Sequence, residues 1–385
     1  MTKKKKRAIT LAGGGPAAGI HIGVLSVLER EGIEFDVYAL SCIGAWVGIV
    51  YNTRSGPDRA KQTYEFFETY CFRDDRSYEW FPINKGFGTN CPALWRAWAE
   101  FPALKTNKWS DLVLPAQIRA SLFNWLKILG DSSRWTHQEF NNWVLNDVLA
   151  VNPMTRYLTS MIYKSHFNGL SKIYYNHSKV LEEVFQGERL YEEDRPEIYH
   201  NAWRMPKGNQ PGKIQLFKNR KLKSRDGTED YLRISHKSLC SCSALPFIEE
   251  SVSMRGYTYT EGALVDTVNF KNLLRDHPDL DEVWVNRIVD ESEVRRPKDL
   301  AESLANLPQQ FAAELGKADI KMFRQHLLNQ SRMRPRVVEI PMNPDTEVTF
   351  DWNHANLKRG FSEGADAARR LLASDKQLSQ DTVES

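Results

Sequence analysis

Residues 39–48 read ALSCIGAWVG, and the fold is decided by this stretch. The apolar run FDVYALS (35–41) is predicted to be a strand, and IGAWVGIVYNT (43–53) is predicted to be a helix. A sharp turn from strand to helix exposes one side chain at the helix N-terminus, as in the nucleophile elbow of hydrolases. Cys42 takes that exposed position here. The elbow also requires small residues two positions to either side, and Gly44 supplies one of them.

The elbow departs from the usual pattern at two points. Leu40 stands where the first small residue is expected, which predicts a less tight turn. Ser41 is a second candidate nucleophile. In that alternative register the flanking positions would be Ala39 and Ile43, and neither is glycine, so Cys42 fits the turn better.

A glycine turn precedes the elbow. RAITLAGGG (7–15) is predicted to be a strand that ends in Gly13, Gly14 and Gly15, and AAGIHIGVLSVLEREG (17–32) a helix. Backbone N–H groups at such a turn can cradle a nucleotide phosphate or form an oxyanion hole, and a tight turn without a ligand is the third interpretation. The dinucleotide pattern lacks its last glycine and no Gly-Lys-Ser/Thr follows, so a P-loop is excluded.

The order of the elements predicts the fold class. Strand, helix, strand and helix alternate from the start of the chain, which indicates an α/β fold with a mainly parallel sheet and helices on its faces. Helical patterns rich in aromatic residues fill the middle, and strand-like patterns resume near KIQLFKN (213–219). We predict one domain over residues 1–385, a helical insertion at 57–205 that caps it, and a frayed tail at 376–385.

Composition narrows the function. Lys and Arg number 52 and Asp and Glu 49, a net charge of +3, so no nucleic-acid partner is expected. The basic run at residues 3–7 can contact anionic lipid but is more typical of a solvated chain end. The five cysteines have no CxxC spacing, which argues against a disulfide framework or a zinc site, and no cofactor is implied. Without a signal peptide or membrane span, a cytoplasmic location is expected.

Three blocks in this order resemble the patatin-like phospholipase family. LAGGGPAAGIHIG (11–23) is similar to the family's glycine loop, and LSCIGAWVG (40–48) to its G-x-S-x-G elbow. YTEGALVDTVNF (259–270) is similar to the block that carries its D-G-G/A motif. SLCSCSALPFIEESV (238–252) resembles the segment before that motif, and the last helix resembles one bacterial branch.

The resemblance implies a patatin-type fold and a dyad of nucleophile and carboxylate without histidine. Cys42 falls on the family's serine, and Glu261, followed by Gly262 and Ala263, falls on its aspartate. Asp266 is an alternative base, five residues further on. The implied oxyanion hole consists of backbone N–H groups, at positions Gly13, Gly14, Gly15 and Ile43. The loop arginine of the family is Ala17 here, and a helix N-terminus is expected to lower the pKa of the Cys42 thiol.

The implied function is that of an acyl hydrolase or acyltransferase. Its substrate would be a lipid-type ester or an acyl thioester, with Cys42 carrying the acyl group as a thioester and Glu261 acting as the base. The alternative is an inactive protein of the same fold that binds acyl chains or a protein partner. Oligomeric state is left open. Peripheral membrane contact through the insertion is a further possibility, because its aromatic side chains suit a bilayer interface: Trp80, Phe81, Trp95, Trp98, Trp109, Phe123, Trp125, Trp135 and Trp143.

Overall fold

A computed structural model gives the structure of the chain. It describes residues 4–82, 84–103, 165–166, 168–173, 179–186, 188–270, 273–288, 300–329, 335–342 and 351–381, with isolated positions between 126 and 161 and position 349. The helical sequence patterns in the middle of the chain, at residues 115–130, 136–151 and 152–167, lie largely outside the described residues. So do Trp109, Phe123, Trp125, Trp135 and Trp143 of the predicted cap.

The described helices are numbered here in chain order. They are α1 (Ala18–Arg30), α2 (Ile43–Thr53), α3 (Arg59–Tyr70), α4 (Asp75–Trp80), α5 (Cys91–Glu100), α6 (Lys179–Phe185), α7 (His236–Cys242), α8 (Leu273–Asp276), α9 (Leu300–Asn329) and α10 (His354–Asp381). Single 3₁₀ turns lie at Phe101–Ala103 and Arg189–Tyr191. The last helix extends to Asp381 and so includes the first part of the tail predicted to fray. Among the described helices, none is both long and apolar enough to cross a membrane.

The strands form one large sheet and one small one. They are β1 (Arg7–Leu11), β2 (Val37–Leu40), β3 (Gly88–Thr89), β4 (Ser171–Lys172), β5 (Glu197–Arg204), β6 (Lys213–Lys218), β7 (Leu232–Arg233), β8 (Val252–Met254), β9 (Tyr257–Glu261), β10 (Glu282–Asn286) and β11 (Arg336–Glu339). Within the described residues the large sheet has nine strands, in the order β11-β10-β1-β2-β5-β6-β7, with β9 beside β5 and β8 beside β9. Its first five strands are parallel, and the predicted α/β fold with a mainly parallel sheet is confirmed.

Strand β5 is the element that brings the candidate site together. Its first half pairs in parallel with β2, so that His200 lies opposite Leu40. Its second half pairs with the antiparallel β9, so that Ala202 lies opposite Glu261. The strands β2 and β9 therefore run towards each other along one edge of β5, and their C-terminal ends meet.

Both faces of the sheet are buried. Ile9 and Leu11 of β1 belong to one apolar cluster, together with α1 and α2, while Ala8 belongs to a second cluster that includes Phe323 of α9. Alternate side chains of a strand point to opposite faces, so helices on both faces account for the continuous apolar character of the first strands.

The backbones of helices α1 and α10 are in direct contact where the two helices cross. A Cβ atom added at Gly23 would lie 2.1 Å from the carbonyl oxygen of Phe361, and one added at Gly364 would lie 2.1 Å from that of Ile20. Only glycine at these positions allows the two backbones to approach so closely. The crossing fixes α1, which begins directly after the glycine turn.

The basic run near the start of the chain is paired. Lys4 forms an ion pair with Glu34, Lys5 with Glu282 and Lys6 with Asp279. The Lys4 and Lys6 pairs are largely exposed, and each contributes little by itself, whereas Glu282, the partner of Lys5, is buried.

The chain divides into two compact units. One contains residues 1–88 and 172–385, and the other contains residues 89–171. The first unit holds the whole large sheet as well as α3 and α4. In the second unit the structure describes α5, on which Trp95 and Trp98 stack with ring centroids 5.0 Å apart. That residues 57–205 form a cap stays a prediction.

Candidate active site

Cys42 lies in a strained turn between β2 and α2. Its φ of 47° and ψ of −121° place a non-glycine residue at positive φ, which is the conformation of a nucleophile elbow. A Cβ at Gly44 would lie 2.1 Å from the carbonyl oxygen of Leu11, so the turn is tight against β1. The predicted loosening by Leu40 does not occur, because its side chain packs on the bare backbone of Gly48, one turn into α2.

The side chains of Cys42 and Glu261 lie against the same residue, Gly13, and the thiol and the carboxylate shift each other's pKa. Both residues are buried, with 8% and 7% of their surface exposed. The two side chains come from different strands, at the point where β2 and β9 meet. The structure therefore brings together the two residues that the resemblance singled out as nucleophile and base.

The first glycine of the turn after β1 lies against this pair. A Cβ at Gly13 would come within 3.1 Å of the Cys42 Cβ and 3.9 Å of Glu261 Oε1, and within 2.8 Å of the Ala263 Cβ. Gly15 has a φ of 65°, which favours glycine. Interaction with the backbone N–H of Ile43, the first residue of α2, lowers the pKa of the Cys42 thiol.

The electrostatics of the pair are those of a protonated thiol beside a carboxyl group that titrates near neutrality. Burial raises the pKa of Glu261 to about 7, although interaction with the Cys42 thiol opposes the shift. Burial, and then the charge of Glu261, raise the pKa of the Cys42 thiol well above its ordinary value. The N–H of Ile43 at the helix N-terminus lowers this pKa, as expected, but burial of the thiol raises it by more, so the net shift is upward.

A second thiol lies behind the first. The backbone N–H of Cys42 donates to Cys242 Sγ at 3.1 Å, and Cys242 is fully buried at the end of α7. The next residue, Ser243, accepts a hydrogen bond from the Trp46 indole at 3.1 Å. Sequence reasoning matched this segment to the family but assigned no role to Cys242, for which its position in SLCSCSALP was the available signal.

Ser41 and Asp266 make structural contacts. The Ser41 hydroxyl lies 2.8 Å from Asn201 Oδ1 and 3.0 Å from the carbonyl oxygen of Asp266. The Asp266 carboxylate accepts the backbone N–H of Asn269 at 2.8 Å. Ser41 therefore faces β5, and the Asp266 carboxylate helps to shape the loop in which it lies.

The loop after Glu261, residues 262–269, forms hydrogen bonds with the glycine turn, with the end of β2 and with α9. Gly13 donates its N–H to the Thr267 carbonyl at 3.4 Å, and the Asn269 amide donates to the Leu40 carbonyl at 2.9 Å. Asp319 of α9 accepts the N–H of Thr267 at 3.1 Å. Burial raises the pKa of Asp319, which is opposed by its backbone hydrogen bonds. No sequence motif pointed to Asn269 or Asp319.

His21 forms hydrogen bonds with the residue before the glycine turn and with β10. Its Nε2 lies 2.9 Å from the Ala12 carbonyl and its Nδ1 lies 2.9 Å from the Asn286 amide nitrogen. With Nε2 protonated, both contacts are satisfied by the neutral ring, and burial lowers the pKa of His21 to about 4. The histidine is a structural hydrogen-bonding group. In the parts of the chain that the structure describes, no cluster of His, Cys, Asp and Glu has the form of a metal site.

A mainly parallel sheet, a strained elbow that carries a cysteine, and a buried carboxylate beside it are the features of an α/β protein with a hydrolase-type elbow. Comparison with protein families identifies the class: residues 9–274 match the patatin-like phospholipase family, and the chain belongs to it. Members of this family are generally lipid acyl hydrolases. The predicted family is thereby confirmed.

Two further comparisons are remote or negative. The chain is similar to VipD from Legionella pneumophila, with 13% sequence identity and a TM-score of 0.36 over 96% of this chain and 67% of VipD. That likeness is too distant to support an argument about function. No curated protein matches the chain in sequence.

Proposed function

We propose that the protein is an acyl hydrolase or acyltransferase that cleaves a lipid-type ester or thioester through a thioester on Cys42, with Glu261 as the base. The shared location of the two side chains, both buried and both against Gly13, is the observation that supports this proposal most strongly. It places a nucleophile next to a proton acceptor, which is the first geometric requirement of such a dyad.

The proposed reaction begins with a protonated thiol. The Glu261 carboxylate takes the thiol proton while the sulfur attacks the acyl carbonyl carbon, and the carbonyl π electrons move to oxygen. The tetrahedral intermediate then collapses, the C–O or C–S bond to the leaving group breaks, and that group takes the proton from Glu261. Because burial disfavours a free thiolate, proton transfer and attack are expected to be concerted.

The second half of the reaction releases the acyl group. Glu261 takes a proton from water, whose oxygen attacks the thioester, and Cys42 leaves as a thiolate that recovers the proton. An alcohol or amine in place of water makes the reaction an acyl transfer. A thioester stays reactive towards such acceptors, so the nucleophile favours transfer slightly more than serine would.

Backbone N–H groups of Gly14, Gly15 and Ile43 are the proposed donors to the oxyanion. The Gly13 N–H, also predicted as a donor, already binds the Thr267 carbonyl. Main-chain donors do not depend on the family's loop arginine, so Ala17 is compatible with activity. Removing one such donor typically costs about 10²–10³ in kcat. A cytoplasmic location, with peripheral contact at a membrane, completes the proposal and agrees with lipid as the substrate of the family.

The test is covalent capture followed by intact mass measurement. Cys91 is an exposed thiol, while the other four cysteines are buried, so Cys91→Ser is the parent protein for every labelling experiment. An electrophilic acyl probe should add one acyl group to this parent. The adduct should be absent in Cys42→Ala and should form much more slowly in Glu261→Gln. Labelling that persists in Cys42→Ala contradicts the proposal.

The second candidate function is an inactive protein that binds acyl chains or a protein partner. One observation favours it: both dyad side chains are buried and the thiol pKa is raised. In that case a panel of thioesters, lysophospholipids and lactones shows no turnover, whereas fatty acids still raise the melting temperature by binding the native state.

A further inference from the structure

Asn201 stands between the two halves of the dyad. It is fully buried on β5, between His200, which pairs with Leu40 of β2, and Ala202, which pairs with Glu261 of β9. No residue of β5 was singled out from the sequence. Its location on the strand shared by nucleophile and base is the first reason to consider it.

The Asn201 amide contacts both sides of the site. Its Oδ1 accepts a hydrogen bond from the Ser41 hydroxyl at 2.8 Å, next to Cys42 in the elbow. Its Nδ2 donates to the carbonyl oxygen of Asp266 at 2.7 Å, in the loop that follows the base. A Cβ at Gly262 would lie 2.7 Å from Asn201 Oδ1, so the loop backbone rests directly on the amide.

Resting on the proposed function, we infer that Asn201 is a positioning residue, which sets the separation of Cys42 and Glu261 by holding the elbow and the base loop to one strand. An amide suits this role because it offers one acceptor and one donor at fixed positions. Aspartate has the same shape but lacks the donor, and alanine lacks both groups. A buried polar group left without its partner costs more than the hydrogen bond itself was worth.

The consequence for chemistry lies in the proton transfer. The thiol and the carboxylate must stay within hydrogen-bond reach. Interaction with the thiol also lowers the pKa of Glu261, against the larger effect of burial. If the elbow and the base loop separate, Glu261 loses this interaction and its pKa rises further. The acid limb of the pH–rate profile then moves to higher pH, which a loss of stability alone would not produce.

The experiment compares Asn201→Ala and Asn201→Asp with a matched asparagine, all in the Cys91→Ser protein. Asn219 is also buried, accepts the N–H of Ile198 at 2.8 Å and donates to the Leu190 and Pro196 carbonyls, at the opposite end of β5. Asn219→Ala should lower the melting temperature without changing the pH profile. Hydrolysis of a p-nitrophenyl acyl ester gives kcat, KM and the profile of each variant.

For both Asn201 variants we expect kcat to fall by about 100-fold, the size of effect that a misplaced catalytic group produces. KM should change little, and the acid limb should move to higher pH. The inference is overturned if the Asn201 variants keep the parent profile and lose activity only in proportion to stability, as Asn219→Ala would.

Alkylation of Cys42 by iodoacetamide separates this inference from the proposed function, since it needs no substrate. Because Glu261 raises the pKa of the thiol, Asn201→Ala should shift the alkylation midpoint to lower pH. In a Glu261→Gln background the same substitution should add no shift, because the effect passes through the carboxylate. Additive shifts overturn the inference. A parent that hydrolyses nothing overturns the proposed function alone.

Discussion

The side chains of Cys42 and Glu261 are both buried, and both lie against Gly13, where the thiol and the carboxylate shift each other's pKa. The pKa of a glutamate in water lies well below 7, but here burial raises the pKa of Glu261 to about 7. A base with this pKa is half ionised near neutral pH, where general-base catalysis is most effective.

The first prediction concerns the pH dependence of turnover. Only the ionised carboxylate can accept the thiol proton, so kcat should rise with pH through a midpoint near the Glu261 pKa of about 7. Glu261→Gln should remove this limb and lower kcat by about 10²–10⁴-fold, the usual contribution of a general base. Initial rates measured across pH on the parent and the variant test it. If the midpoint of the pH–rate profile lay in the ordinary pKa range of exposed carboxylates, a group other than Glu261 would be the base.

The second prediction concerns stability. With rising pH, the contribution of Glu261 to stability should decrease, whereas kcat should increase. The pKa of Glu261 is higher in the folded chain than in the unfolded one, so its contribution to stability is fully present in acid and is lost as pH rises through about 7. Glu261→Gln removes a buried charge above that pH and should raise the melting temperature there. At about pH 5 the carboxyl is protonated in the folded state, and the variant should differ little from the parent.

Thermal unfolding at about pH 5 and about pH 8 measures the effect. A second buried carboxylate serves as the control: the pKa of Glu282 is held at about 2, because hydrogen bonds from Lys5 and Arg7 outweigh its burial. Glu282→Gln should therefore destabilise the protein at both pH values. Equal effects of the two substitutions would show that Glu261 is not a strained group.

The first half of the fold was accessible from sequence because its signals are local. The strand that ends at Leu40, the helix that begins at Ile43 and the glycine turn at Gly13–Gly15 are each written in a few neighbouring residues. The pairing of β5 with both β2 and β9 was not accessible. It depends on contacts between residues about 160 and 60 positions apart, for which periodicity carries no information.

The residues of the candidate site also differ in whether local sequence could identify them. Cys42 and Glu261 stand in motifs, so residue type and order pointed to them. Asn201, Asn269 and Asp319 make hydrogen bonds to residues distant in the sequence, and nothing in their local sequence marks them. The direction of the Cys42 pKa was missed for a related reason: the elbow favours a thiolate, but burial is a property of the assembled structure.

The third prediction concerns Gly13. Its φ is not in the left-handed region, so an alanine there meets only a spatial conflict, 2.8 Å from the Ala263 Cβ and 3.1 Å from the Cys42 Cβ. Gly13→Ala should push the glycine turn away from the dyad and lower acylation of Cys42 by about 100-fold. Gly32→Ala is the control, because it has a φ of 66° but open space around it. That variant should lose stability and keep the acylation rate.

The fourth prediction concerns a buried cation at the other end of the sheet. Lys218 is 2% exposed and forms ion pairs with Glu197 and Asp276, beneath the ring of Tyr231. Lys218→Met leaves two buried carboxylates with one partner fewer and should cost about 3–5 kcal/mol of unfolding free energy. Lys61→Met removes an exposed pair with Glu65 and should change it by at most about 0.5 kcal/mol. Chemical denaturation measures both. A loss of similar size in the two variants would show that burial does not strengthen the Lys218 pairs.

The last prediction concerns the crossing of α1 and α10. An alanine Cβ at Gly23 or Gly364 would lie 2.1 Å from a carbonyl oxygen of the other helix, so each substitution must push the helices apart. Each should cost about 1–3 kcal/mol, the range found for overpacked cores. At Gly360 the nearest atom is 3.2 Å away, and the better helix propensity of alanine offsets part of the crowding, so Gly360→Ala should be close to neutral. Because α1 follows directly on the glycine turn, Gly23→Ala should also slow acylation of Cys42, whereas Gly360→Ala should not. Denaturation and acylation rates of the three variants test both parts, and equal stability losses at the three glycines would contradict a crossing at backbone contact.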